Sequence, residues 1–434
     1  MAVESAPFTS PLAESLAPAL LERFDRYVRV GTQSDRDGEG TPSSARQFDL
    51  GRVLVDELLA LGLADARLDE HGFVYATLPS TTDVADGPAP VIGLIAHMDT
   101  SPDAPGDGVE PIMHRAYEGG VIELPRGGTV LDPAEMPDLL DHVGHDLVTS
   151  SGDTLLGADD KSGVAAIMTA LAHLVASPEL PSPTLRIAFT PDEELGTGVR
   201  SFDVEGFGAL CAYTVDGSEV GELQDETFSA TEGIVTIEGH EVHPGFATGK
   251  LVNAARIAAE IVAALPADLT PERTSGRDGF IHVYEVSGGA SHAVVRTILR
   301  DFDDEKLAAH GEVLRRTVDE VLAREPRAKA TVTITPQYPN MRTYVDEFPQ
   351  VTDAAAQAIR AEGLEPLRTA IRGGTDGSQL SAMGLPTPNL FTGGHEFHSV
   401  REWASVQEMA ASAAMLVRLA EVWTTPEFRG AARA

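Results

Sequence analysis

Cysteine is almost missing from this 434-residue sequence; Cys211 is the single one. One thiol cannot close an intrachain disulfide or build a thiolate cluster. Any bound metal must therefore be held by His, Asp and Glu. Cys211 itself sits in the apolar run ALCAYTV and reads as core. Long hydrophobic runs are missing too. Nothing approaches the run of about 20 apolar residues that a membrane helix needs. The acidic opening MAVESAPFTSPLAESLAP lacks the basic-then-apolar pattern of a secretory signal. The expectation is a cytoplasmic protein with no membrane partner. Positive charge is scarce as well: 32 Lys and Arg face 67 Asp and Glu, for a formal net charge of -35. Such a surface repels phosphate backbones, which argues against nucleic acid as a partner.

The length exceeds what one hydrophobic core usually serves, so two domains are expected. Up to about residue 226, apolar strands alternate with helical patterns. LLERFDRYVRV and FDLGRVLVDELLALG carry helical periodicity, PVIGLIAHMD and TLRIAFTPDEE read as strands, and SGVAAIMTALAHLVAS reads as a helix. That alternation predicts an α/β domain with a mainly parallel sheet flanked by helices. The order then changes. GIVTIEG, KLVNAARIAAEIVAAL, FIHVYEVSG, HAVVRTILRDF, DEKLAAHGEVLRRTVDEVLA and ATVTITPQY give β-α-β-β-α-β, the order of a ferredoxin-like α+β module. The expected organisation is a catalytic domain in two parts, 1–226 and 341–434, interrupted by an inserted lid at 227–340.

Four polar clusters stand where apolar strands end or a helix begins. They are His97-Met98-Asp99, Asp159-Asp160-Lys161, Asp192-Glu193-Glu194, and Asp216. The carboxyl ends of strands are where open α/β sheets form their sites. Solubility explains one acidic cluster but not four in such positions. The residue types suit a pair of divalent cations. Two such ions about 3.5–4 Å apart need a shared carboxylate and further anionic ligands to offset their repulsion. The adjacent pair Glu193-Glu194 can divide its labour, because neighbouring side chains at a strand end point in different directions. One can ligate a metal while the other takes a proton from water. In His97-x-Asp99, the carboxylate can fix the ring whose other nitrogen binds metal.

HMDTSPD, LLGADDKSG, TPDEELGTG, YTVDGS, HEVHPGFATGKLVNA, LRDFD, IRGGTDGSQLS and NLFTGGHEFHS together resemble peptidase T, a family of tripeptide aminopeptidases among the dinuclear zinc exopeptidases and deacylases. The motifs run in the family's order from about 90 to 400. The resemblance implies a phosphorylase/hydrolase-like zinc exopeptidase fold carrying the lid, and two zinc ions per subunit that manganese or cobalt could replace. It implies that His97, Asp159, Glu194, Asp216 and His398 are the ligands, with Asp159 rather than Asp160 as the bridge and His398 rather than His395 as the last. Glu193 matches the general base, and Asp99 the residue that orients His97. Where the family often carries glycine, this chain has Ser399. Short peptides are the implied partners, and a homodimer is compatible with the resemblance. A dipeptidase or an N-acyl-amino-acid deacylase is the alternative, since the metal site would be the same.

Two further residues are candidate substrate contacts. His243, in EVHPG of the lid, could polarise the scissile carbonyl. Arg372, beside two glycines in AIRGGTDG, could bind a peptide carbonyl or carboxylate. His142 and His145 have i, i+3 spacing, but the required ligands are supplied elsewhere, so they read as structural. So do His240, His282, His292 and His310.

Overall fold

The computed structural model describes residues 5–82 and 89–432. The chain divides into two compact units. The first comprises the residues up to Asp225, Thr343–Thr369, and those from Thr375 onward; the second comprises Glu226–Arg342 and Ala370–Gly374. Among the described residues no helix is long and apolar enough to cross a membrane.

The first unit is built on an eight-stranded sheet. In chain order its strands are β1 (Arg67–Leu68), β2 (Val74–Leu78), β3 (Val91–His97), β4 (Thr184–Thr190), β5 (Cys211–Gly217), β6 (Glu222–Thr227), β7 (Leu367–Ile371) and β8 (Asn389–Phe391). Across the sheet they lie β1-β2-β4-β3-β5-β8-β6-β7. The central pairs β4/β3, β3/β5 and β5/β8 are parallel. The pairs β1/β2, β2/β4 and β8/β6 are antiparallel. The sheet is therefore mixed, not mainly parallel throughout. The reason lies in the connections: a parallel neighbour needs a long crossover, whereas β1 and β2 are joined by a short turn that only antiparallel strands can use.

The central strands are covered on both faces, which is why they read as unbroken apolar runs. From Ile92 onward every residue of β3 is buried. Helices α1 (Pro11–Val28), α2 (Ala158–Ala176) and α3 (Val406–Trp423) pack against one another. Ser10 caps α1 by accepting from Ala13 N, with Pro11 in the first turn. Ser405 does the same for α3 by accepting from Glu408 N. A smaller sheet, Gly394–His395, Trp403–Ser405, Leu147–Thr149 and Ile112–His114 in spatial order, completes the unit. Its strands are too short to carry a readable periodicity.

The second unit is a four-stranded antiparallel sheet in the order 280–288, 292–301, 229–238, 329–338. Two helices, Ala254–Ala264 and Asp304–Leu322, share its apolar core with Val235, Ile237 and Val295. Burial alternates along His292–Asp301, as expected for a sheet packed on one face.

Candidate metal centre

Three neighbouring parallel strands deliver most of the site. In the β3/β4 register His97 lies opposite Thr190, and in β3/β5 Ile95 lies opposite Thr214. The chain leaving each strand end thus presents His97, Glu193-Glu194 and Asp216 at one end of the sheet. Asp159 comes from the first turn of α2. His398 comes from the tip of the hairpin between the 394–395 and 403–405 strands. Its φ of +60° is left-handed, and Asp192 (+52°) and Glu396 (+56°) share that conformation. Non-glycine residues held there store strain, which clusters at functional sites.

The five candidate ligands come together around Asp159. Its Oδ1 lies 2.8 Å from His97 Nε2, and its Oδ2 lies 3.2 Å from His398 Nε2. His97 Nε2 is also 3.6 Å from Asp216 Oδ1, and His398 Nε2 is 2.9 Å from Glu194 Oε2. Two sets of donors, His97 with Asp216 and His398 with Glu194, therefore share one carboxylate. Asp160 is close by and fully buried, but both its oxygens accept backbone hydrogen bonds, from His97 N and Gly163 N.

The Asp99 carboxylate meets more than the His97 ring. Its carboxylate lies 3.3 Å from His97 Nδ1 and accepts from Ser34 Oγ at 2.5 Å. It also accepts from the amides of Glu193 at 3.1 Å and Glu194 at 3.2 Å. One buried carboxylate thus holds a ring and the turn that carries both glutamates. Behind that turn, Asp192 accepts from Ser43 N, Ser43 Oγ and Gln47 Nε2. These partners lie far away in sequence, and no spacing signals them.

The charges are poorly matched. Burial by itself would lower the His97 ring, but the charge of Asp216 and hydrogen bonds to Asp159, Asp216 and Asp99 hold it well above the usual value. Hydrogen bonds to Asp159 and Glu194 push His398 up to about 11. Burial would raise Asp159, yet the two imidazoles bonded to it hold it below the usual carboxylate range. The other carboxylates go the opposite way. Burial, then repulsion from Asp159, pushes Glu194 up to about 8 and Asp216 to about 6. Burial likewise drives Glu193 well above its usual value, with repulsion from Asp216, Asp376 and Glu194 adding to it. Glu194 Oε1 is buried with no hydrogen-bond partner among the described residues. Carboxylates crowded in this way, with an orphaned oxygen and two imidazoles in reach, fit divalent cations. Ligand atoms of His97, Asp159 and Glu194 lie within 4.8 Å of one another, as do those of His97, Asp160 and Asp216.

Other candidates stand differently. His243 is exposed in the second unit, and its Nδ1 accepts from Gly245 N at 3.1 Å. Arg372 is committed inside the same unit. It donates to the carbonyls of Gly276 and Asp278 and to Thr274 Oγ1, and its guanidinium lies over the Phe228 and Phe280 rings. In the neighbouring motif, Asp376 has no signal in the sequence to mark it. It is buried and accepts from Thr190 Oγ1 at 2.7 Å, and burial pushes it up to about 7. His142, His145 and His395 gather around Glu408 in a separate cluster of the first unit.

A model of "Peptidase family M20/M25/M40" matches residues 155–422. Peptidase T of Geobacillus kaustophilus is 44% identical over 405 residues, covering 93% of this chain and 98% of that protein. Peptidase T of Vibrio parahaemolyticus is 46% identical over 403 residues with the same coverage. Among solved structures, aminopeptidase PepT from Bacillus cereus superposes with a TM-score of 0.72 at 24% identity, over 94% of this chain and 99% of that one. A dinuclear metal-binding M20 peptidase of Bacillus subtilis superposes with a TM-score of 0.62 at 16% identity, over 94% and 98%. At these identities the two structures speak to the fold.

Proposed function

The chain belongs to peptidase family M20/M25/M40, in its peptidase T group, and on that premise we propose how it works as a tripeptide aminopeptidase. It releases the N-terminal residue of a tripeptide by adding water across the first peptide bond. The residues that would hold a metal pair are His97 and Asp216 on one side, His398 and Glu194 on the other, and Asp159 between them. We propose zinc for both positions; a carboxylate-rich site without sulfur also accepts manganese or cobalt. Bound there, the cations supply Lewis acidity, bringing the pKa of water near neutrality and polarising the carbonyl.

The protein's own part is proton handling and positioning. Glu193 is the proposed general base: it takes a proton from the attacking water and delivers it to the leaving amine. Burial and the neighbouring carboxylates raise its pKa, which makes the carboxylate a stronger proton acceptor and suits that task. Asp99 keeps Glu193 and Glu194 in register through their backbone amides. We read the second unit, 227–340 in outline, as a ferredoxin-like lid inserted between catalytic segments 1–226 and 341–434. His243 of that lid and Arg372 of the 341–434 segment are the proposed substrate contacts. For Arg372 this means exchanging the Gly276 and Asp278 carbonyls for those of the peptide.

The single observation supporting the dinuclear reading is that the two oxygens of Asp159 face two different imidazoles, one from each donor set. The test is a substrate panel on protein whose metal content has been measured. Tripeptides should be cleaved well above dipeptides and N-acylated amino acids, with two zinc ions per chain. Faster turnover of N-acyl amino acids would transfer the protein to the deacylases. Full activity with a single ion would remove Asp159 from its bridging role.

A further inference from the structure

Glu402 is one of the most deeply buried carboxylates in the chain, at 1% exposure, and the mechanism above does not use it. It stands on the returning arm of the hairpin whose tip carries His398. The arms of that hairpin pair Gly394 with Ala404 and His395 with Trp403. The Glu402 side chain reaches across to the turn before α2. There Oε2 accepts from Leu156 N and Gly157 N, both at 2.7 Å, and Oε1 accepts from Asp159 N at 3.0 Å. Three amides of one turn therefore converge on a single carboxylate from a segment more than 240 positions away. Gly157 adopts a left-handed φ of +82° in that turn.

The geometry points to Glu402 as a positioning residue that fixes Asp159 and His398 relative to each other. This rests on the dinuclear reading of Asp159 and His398. Asp159 belongs to the first turn of α2 and His398 to a hairpin late in the chain, and side-chain contacts alone let each drift. Glu402 ties the backbone of one to the backbone of the other. The tie is rigid, because a carboxylate accepting from three amides has little freedom and charge-assisted bonds are strong. Gln cannot reproduce it. An amide offers one oxygen and one NH2, so at least one buried backbone N–H would face a donor.

The test compares full-length wild type, E402Q, E402D and W403F. W403F is the control for the hairpin alone, because the Trp403 ring stacks on His395 and packs in the apolar cluster with Leu139 and Leu147. Zinc affinity is read by competition with a chromophoric chelator, and amide hydrogen exchange is read on metal-free protein. E402Q should weaken zinc binding about 10–100-fold, the range for residues that orient metal ligands. It should also speed exchange at Leu156, Gly157 and Asp159 before any metal is added. E402D keeps the charge but is one methylene shorter, and should fall between wild type and E402Q. W403F should unfold more easily yet bind zinc as wild type does. Wild-type zinc affinity in folded E402Q overturns the inference, as does an equal loss of affinity in W403F. If E402Q does not fold, E402D decides alone: weakened binding supports the tie and unchanged binding removes it. Wild-type protein that fails to bind two ions would instead overturn the dinuclear reading, and the chelator titration separates the two failures.

Discussion

His395 and His398 stand three residues apart on one hairpin, yet they enter two different kinds of cluster. His395 is buried, stacks on Trp403 at 4.0 Å and bonds to Glu408 Oε2 at 2.8 Å. The other oxygen of Glu408 meets His142 Nε2 at 2.9 Å, and His142 Nδ1 meets the Asp138 carbonyl at 2.8 Å. Both nitrogens of His142 thus face acceptors, which a ring satisfies by carrying two protons. Burial alone would lower His142, but the hydrogen bond and charge of Glu408 hold it above its usual value. Burial would raise Glu408, but its two histidines hold it at about 2. This cluster is balanced, with one carboxylate, two imidazoles bonded to it, and both oxygens used. Around His398 the balance fails. Five carboxylates, Asp99, Asp103, Asp159, Glu194 and Asp216, share two imidazoles, and an oxygen of Glu194 is left over. Histidine spacing does not separate a structural cluster from a metal-type one. Surplus anionic donors do.

The comparison can be broken by removing one carboxylate from each side. The largest effect is expected from Glu193→Gln, which should lower kcat by about 10²–10⁴-fold, the usual share of a general base. Metal analysis should still find both ions, and substantial turnover at full occupancy would remove Glu193 from the role. Glu408→Gln should leave a buried imidazolium without its counter-charge and destabilise the fold by about 3–5 kcal/mol. Denaturant unfolding should report that loss, while zinc content and kcat of the folded fraction stay unchanged. Loss of zinc in that variant would mean the two clusters are not separate.

The smallest effect sharpens the same contrast through pH. Glu408 is depressed in the folded state, so its contribution is present above its unfolded value near 4.5 and fades as pH falls toward about 2. His142 is raised, so its contribution is complete below its ordinary value of 6.5 and is lost as pH rises through the higher folded value. The pair therefore stabilises most between about pH 4.5 and 6.5. Metal-free protein should show an apparent Tm maximum in that window, and Glu408→Gln should flatten it by a few degrees. An unchanged profile in the variant would deny the ion pair.

Much of this was legible in the sequence. The central strands announce themselves as apolar runs because both faces are covered, and polar clusters mark where they end. What stayed hidden depends on partners distant along the chain. Glu402 and Glu408 look like ordinary helix-flanking or surface acids in VREWASVQEMA. Only the fold brings the first to the amides of 156–159 and the second to His142. Asp99 was read from its spacing to His97, and its grip on the Glu193 and Glu194 amides has no local signature. Strand direction at the β1 edge of the sheet is equally unreadable, since β1 is too short for any pattern. Between His395 and His398 the residues alone offered no choice, because each is a histidine in the same glycine-rich stretch.

The place of β8 in the sheet has a consequence for how the protein is made. It lies between β5 and β6, yet the ribosome produces it long after both. At about 5–20 residues per second, the stretch from Asp216 to Asn389 takes roughly 10–35 s to synthesise. Throughout that interval β5 has a bare edge, the kind of surface that mispairs with other chains. When β8 arrives it closes the gap, and His398 follows within a few residues. Completion of the sheet and arrival of the last histidine are thus one event in biosynthesis. The proposed metal site therefore cannot assemble on a nascent chain before His398 has been made.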